Sequence, residues 1–341
     1  MKAKFDTRPI IVVTMGDPVG IGPEIVVKAM ARNNFNHFCK PVILGDPLRL
    51  EAAKKCVGIS PEIRVINDPS QGHYNGSCIH VIPISHLNPE KTRWGKPTRS
   101  TAAAAIRYIT TAVDMVQRKE ASAMVTCPIH KNAFRLMGLP HAGHTELIAE
   151  RTGSSDFIMM MAGSKLRVAL VTIHEPLREV PGLITPERVI RTIVLTAQGL
   201  TERFGVHKPR LAVSGLNPHA GENGRFGDEE KRILKPAIRR TLRKGYRVEG
   251  PYPPDTVFYR ALTGAFDAVI ALYHDQGLIP FKLVHFNDGV NTTLGLPLIR
   301  TSVDHGTAYD IAGTGKADPG SLAAALRMAA DQVLHRRRTL S

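Results

Sequence analysis

The run Ala268-Val-Ile-Ala-Leu272 is apolar throughout, with no polar residue alternating in it. A strand wetted on one side alternates, so an unbroken run of this kind describes a strand covered on both faces. Directly behind it stand His274, Asp275, Gln276 and Gly277. His274 would then emerge at the strand's carboxyl end, where open α/β sheets carry their chemistry.

The same alternation of buried strand and helix runs along the chain. Pro9–Thr14 reads as a strand, followed by Met15-Gly-Asp-Pro-Val-Gly-Ile-Gly-Pro-Glu24 and a helix to about Arg32, with Pro23 in its first turn. Neither G-x-G-x-x-G nor G-x-x-x-x-G-K-[ST] can be laid on Gly16, Gly20 and Gly22, so a tight strand-to-helix turn is at least as good a reading as a phosphate loop. Pro41–Gly45 is a second strand, and residues 60–98 hold short strands and loops. Ser100 is expected to cap a helix running to about Lys119, followed by a strand at Ala121–Cys127. Gly143-His144-Thr145-Glu146 opens a helix whose first N–H groups, with His144 and Thr145, suit an anion. Strands follow at Phe157–Met161 and Leu166–Ile173, a helix capped by Thr185 runs to about Phe204, and Leu211–Leu216 is a further strand. Asp228–Lys244 is helical with a kink at Pro236, and Gly250–Thr256 forms a rigid connection. Strands alternating with helices make this an α/β protein.

Of the 341 residues, 43% are hydrophobic, enough for a real core. No stretch approaches the roughly 20 apolar residues of a membrane span, and the N-terminus lacks the apolar core of a signal peptide, which places the chain in the cytoplasm. Cys39, Cys56, Cys78 and Cys127 form no Cys-x-x-Cys pair and are expected as reduced, mostly buried thiols. The net charge of +15 invites a nucleic-acid partner. The basic residues gather instead at Arg239–Arg247 and Arg336–Arg338, read as solvated helix faces, and with one Trp and seven Tyr the stacking aromatics are scarce. Neither nucleic acid nor membrane is therefore expected as a partner, and a small anionic substrate is compatible with the charge without being demanded by it.

Three histidines share one context: His174, His219 and His274 each stand just past an apolar strand. Strand ends of a parallel sheet lie side by side, and three neutral imidazoles converging there suit a divalent metal with positions left open for water or substrate. Singly, each is more often a hydrogen-bonded structural histidine than a ligand. Lys282 and Arg300 are cations able to hold a carboxylate and a phosphate, with Asn291 a further hydrogen-bonding group, in a stretch whose glycines and prolines suggest ligand loops.

Taken together, Met15–Glu24, Gly143–Glu146, Leu216-Asn-Pro-His-Ala-Gly-Glu222, Tyr273–Gly277 and Arg300-Thr-Ser-Val-Asp-His-Gly-Thr307 resemble the 4-hydroxythreonine-4-phosphate dehydrogenase family of pyridoxal phosphate biosynthesis, in the same order over nearly the whole chain. The resemblance implies two α/β/α lobes with a cleft between them, similar to isocitrate and isopropylmalate dehydrogenases. Residues 1–130 plus 295–341 would form the first lobe, and residues 131–294 the second, carrying the metal site and dimer interface. It implies a homodimer with a shared active site, NAD (or NADP), and one divalent ion per subunit, zinc, cobalt or magnesium. His174, His219 and His274 fall on the family's metal ligands, and His144, Thr145, Lys282, Asn291 and Arg300 on its substrate contacts. His141-Ala142 stands where some relatives carry an aromatic or proline residue.

The implied reaction oxidises 4-phosphooxy-L-threonine and then decarboxylates it to 3-amino-2-oxopropyl phosphate, the metal assisting both steps as a Lewis acid. Asp275 and Asp255 are candidates to orient a ligand or relay a proton. A related dehydrogenase acting on D-threonate or D-erythronate 4-phosphate would carry the same motifs, and a metal hydrolase could use the same histidines without NAD.

Overall fold

The computed structural model describes residues 6–76 and 78–340. In chain order the elements are β1 (Ile10–Thr14), α1 (Gly22–Arg32), β2 (Lys40–Gly45), α2 (Pro47–Val57), β3 (Ile63–Val65), β4 (Ile79–Pro83), α3 (Arg99–Gln117), β5 (Ala123–Thr126), α4 (Lys131–Leu136) and α5 (His144–Arg151). Then come β6 (Ile158–Ala162), β7 (Arg167–Leu170), α6 (Val180–Leu183), α7 (Pro186–Phe204), β8 (Arg210–Ser214), α8 (Lys235–Leu242), β9 (Arg247–Tyr252), α9 (Pro254–Leu262), β10 (Ala268–Ala271), α10 (His274–His285), β11 (Val290–Leu294), β12 (Arg300–Val303) and α11 (Gly320–Leu340).

The chain divides into two compact units, one running to Ser155 and resuming at Leu296–Val333, the other Asp156–Gly295 with the chain from Leu334. Helices α4 and α5 both pack on α3, so the boundary falls at Ser155 rather than near residue 130.

In the first unit the strands lie in the order β3-β4-β2-β1-β5-β12, all parallel. Thr14, Thr126 and Ser302 come to the same level at the carboxyl ends of β1, β5 and β12. The turn from β1 into α1 is built on close backbone approach: a Cβ at Gly22 would lie 2.1 Å from the Met15 carbonyl oxygen, and one at Gly16, where φ is +76°, 2.5 Å from that of Pro128. Buried Asp17 closes the turn, its Oδ1 accepting from the Val19 N–H at 3.0 Å and its Oδ2 from the Tyr309 hydroxyl at 2.5 Å. The glycine-rich segment is thus a packed turn. Helix α3 begins two residues earlier than expected, at Arg99. Its cap is Thr98 rather than Ser100, because Thr98 and Thr101 exchange hydrogen bonds in a capping box.

The second unit has the order β11-β6-β7-β10-β8-β9, antiparallel at its first two pairings and parallel from β7 onward. Every residue of β10 is buried, as its unbroken apolar run requires. Phe258 of α9, Phe281 of α10, Val168 and Leu170 of β7 and Val269 of β10 pack into one core, each such side chain contributing about 1.5–3 kcal/mol by burial. Thr185 caps α7 as expected. The segment Gly250–Tyr252, expected as a connection, is strand, and β9 tolerates Pro251 because it is an edge. Pro236 lies in the first turn of α8, directly after a π turn over Glu230–Leu234, so the helical segment changes its winding just before the proline.

All four cysteines are free thiols. Cys39 and Cys127 are buried and their thiols are pushed up in pKa by burial, while Cys56 and Cys78 are only half-buried. Arg239, Arg240, Arg243 and Lys244 are exposed, a solvated helix end. Among the described residues, no helix is long and apolar enough to cross a membrane.

Candidate active site

In the first unit Arg300 opens β12 and is 3% exposed. Its guanidinium donates to Thr126 Oγ1 from Nε at 3.2 Å and from Nη2 at 2.8 Å, across the β5–β12 pairing. Ser302 Oγ donates to the Thr126 carbonyl at 3.2 Å. Burial lowers the Arg300 pKa to about 10, opposed by the charge of Glu146, so the group stays cationic at neutral pH. Arg300 is therefore held in a strand and not in a ligand loop, and the same is true of Asn291 in β11, while Lys282 lies within α10.

His144 is the first residue of α5, after Gly143, and Thr145 follows it in the same turn. No side chain caps this helix. Burial, reinforced by the Arg300 charge, pushes the His144 imidazole down to about 3, against a backbone hydrogen bond with Cys127. His144 is consequently a neutral hydrogen-bonding group beside a fixed cation. Its Nε2 is buried without a hydrogen-bond partner among the described residues, as is Asn291 Oδ1 in the other unit. His141 pairs with Glu150 and packs near Phe134, their rings 6.4 Å apart.

In the second unit the three histidines follow three adjacent parallel strands: His174 after β7, His274 after the central β10, and His219 after β8. The His174 and His274 rings lie 5.4 Å apart. Asp275 Oδ1 lies 2.6 Å from His274 Nδ1, which favours the tautomer protonated at Nδ1 and leaves Nε2 as an acceptor. His219 faces Phe226, 6.0 Å away. Among the described residues, no group of three or more His, Cys, Asp or Glu side chains is gathered closely enough to hold a metal. Asp255 stands exposed in the first turn of α9.

The motif Tyr273–Gly277 has a distinct structural task at each later position. Gln276 accepts from the Leu272 N–H and donates to the Gly215 carbonyl, both at 2.7 Å, tying the ends of β10 and β8 together. A Cβ at Gly277 would meet Val168 Cγ1 at 2.7 Å, so glycine lets α10 close onto β7. The role of Gln276 and the whole of Thr126 escaped sequence reasoning. An amide two residues behind a candidate ligand was the available signal for the first. For the second there was none, since its partner lies on another strand.

Parallel strands delivering a buried cation in one unit and a row of histidines in the other define an α/β enzyme. Residues 37–329 match the family described as pyridoxal phosphate biosynthetic protein PdxA, and the chain belongs to that family. It is 55% identical to a 4-hydroxythreonine-4-phosphate dehydrogenase of Desulfosudis oleivorans, over 96% of this chain and 97% of that one. It is 45% identical to a D-threonate 4-phosphate dehydrogenase of Cupriavidus necator, over 97% and 99%. Among solved structures it is similar to 4-hydroxythreonine-4-phosphate dehydrogenase of Klebsiella pneumoniae, with a TM-score of 0.87, 40% identity, and coverage of 96% and 100%. The chain is an oxidoreductase with the isocitrate/isopropylmalate dehydrogenase-like fold.

Proposed function

We propose that this enzyme oxidises 4-phosphooxy-L-threonine with NAD or NADP and releases carbon dioxide to leave 3-amino-2-oxopropyl phosphate, a step of pyridoxal phosphate biosynthesis. The observation that carries the metal-dependent chemistry is the row of His174, His274 and His219 past β7, β10 and β8, with the first two rings 5.4 Å apart. The donor set fits zinc or cobalt, for which imidazole is a usual ligand, whereas magnesium would be drawn by the substrate's phosphate oxygens; Asp275 fixes the tautomer of His274. When bound, the ion supplies Lewis acidity to the hydroxyl being oxidised. Arg300 and Lys282 hold the carboxylate and phosphate by charge. Neutral His144, with Thr145 and Asn291, holds the substrate by hydrogen bonds, and His144 Nε2 and Asn291 Oδ1 are buried atoms whose missing partners a polar substrate would provide. Asp275 positions its neighbour, and Asp255 remains a candidate proton relay. Free thiols fit a cytoplasmic, reducing setting.

We further infer a homodimer with a shared site. Two of the three histidines meet within one chain. The helix that begins with His274 also exposes Ile279 at 68%, Leu283 at 87% and, at its cap, Phe286 at 76%, an apolar stripe that a second subunit would cover.

The test is nicotinamide reduction with two substrates in parallel. NADH formation from 4-phosphooxy-L-threonine, abolished by a chelator and restored by a divalent ion, is the expected result. Preference for D-threonate 4-phosphate would move the chain to the second reading, which the Cupriavidus relative favours. Phosphate release without NAD reduction would overturn both in favour of a hydrolase.

A further inference from the structure

The connection that carries His219 is strained. Six successive residues have positive φ: His219 (53°), Ala220 (52°), Gly221 (80°), Glu222 (39°), Asn223 (58°) and Gly224 (101°). Four of them are not glycine, and a left-handed run of this length persists only when its surroundings over-determine it.

Glu230 supplies that constraint. It is 3% exposed, and its Oε1 accepts from the backbone N–H groups of Leu216 and Asn217, both at 2.8 Å. Its Oε2 accepts from Asn217 Nδ2 at 3.0 Å, and Glu229 Oε2 takes the same amide at 2.8 Å. A Cβ at Gly221 would lie 2.7 Å from Glu230 Oε2, so the middle of the left-handed run packs directly on this carboxylate. Glu230 opens the π turn Glu230–Leu234, and π turns are concentrated at functional sites. The residues after it at helical spacing, Ile233, Leu234 and Ala237, are buried, which places the acid on the inward face.

We propose that Glu230 is the positioning residue for His219. It clamps the two amides that lead into the left-handed run and so fixes where the imidazole is presented to the metal. The inference rests on the reading of His219 as a metal ligand, and the experiment separates the two. Zn2+ is titrated into chelator-stripped full-length protein against a chromophoric competitor, for wild type, His219→Ala, Glu230→Gln, Gly221→Ala and Asp46→Asn. Glu230→Gln keeps the shape but replaces one acceptor by a donor facing Asn217, and Gly221→Ala drives a methyl group into Glu230 Oε2. Asp46 is the control. It is an equally buried carboxylate in the first unit that accepts from the N–H groups of Leu48, Arg49 and Leu87 and from Ser85 Oγ.

Glu230→Gln and Gly221→Ala are expected to weaken Zn2+ binding about 10-fold, the usual effect of removing a group that orients a ligand. Asp46→Asn is expected to lower the melting temperature and leave Zn2+ affinity at the wild-type value. Wild-type affinity in both Glu230→Gln and Gly221→Ala, with weak binding in His219→Ala, would overturn the role of Glu230 and leave His219 a ligand. Equal weakening in Asp46→Asn would also overturn it, as general destabilisation. Wild-type affinity in His219→Ala would remove His219 from the ligand set and the inference with it.

Discussion

Arg300 and the histidines at the β7, β10 and β8 ends are set in opposite physical circumstances. Arg300 is buried in a strand and fixed by the hydroxyl of the neighbouring strand. Its electrostatics are dominated by desolvation, which also keeps His144 neutral beside it. His174 and His219 are exposed on connections, and His274 is half-buried at a helix start. The first arrangement is complete within its unit and already oriented. The second is a row of donors whose geometry depends on a strained turn, an Asp275 contact and, on our reading, a second subunit. Substitutions in the first set should therefore couple binding to stability, and those in the second should cost turnover at little cost in folding.

The sharpest break between the two comes from the histidine row. His274→Ala is expected to lower metal-dependent kcat about 10³-fold, several kcal/mol of lost transition-state stabilisation, with the melting temperature unchanged. Wild-type turnover at low metal would remove His274 from the site. Arg300→Ala should cost about 10²-fold in kcat/KM, chiefly through KM, because a buried charge partner for the substrate anion is lost. An unchanged KM would take Arg300 out of the pocket. Leu283→Lys, on the exposed stripe of α10, should shift sedimentation from dimer to monomer and reduce activity in proportion. A dimer of unchanged stability would place the interface elsewhere.

A further contrast concerns pH. His144 is depressed to about 3 in the fold against 6.5 for an ordinary imidazole, so between these values the unfolded chain binds a proton that the folded chain does not. Stability from this group is therefore full above about pH 6.5 and falls by about 1.4 kcal/mol per pH unit on acidification through that window. His144→Gln should flatten the acid limb of a melting-temperature profile by that slope, and an identical profile would refute the buried neutral assignment.

Much of the fold was legible because its signals are local. The unbroken run at Ala268–Leu272, the Thr185-Pro186 helix start and Pro236 behind a charged segment each announce their own structure through side-chain size, capping chemistry or a missing N–H. The misreadings share one cause. Ser100 lost the cap to Thr98, and Gly250–Tyr252 became an edge strand, because hydrogen bonds to another residue or strand outweighed local preference. Arg300 and Asn291 were placed in loops on the strength of nearby Gly and Pro, yet both lie in strands. Glu230 was open to detection: it shares its helical face with Ile233, Leu234 and Ala237, and an acid in register with an apolar stripe is a buried acid in search of donors.

The amino-acid sequence by itself determined the α/β class, the family, and that three histidines would each emerge behind a buried strand, since apolar periodicity and motif order need no knowledge of neighbours. Only the tertiary structure decided that β10 lies between β7 and β8, that Thr126 holds Arg300, and that Glu230 clamps the turn of His219. Those are contacts between residues far apart in the chain, and strand order, desolvation and hydrogen-bond partnership come into existence only when the sheet is assembled.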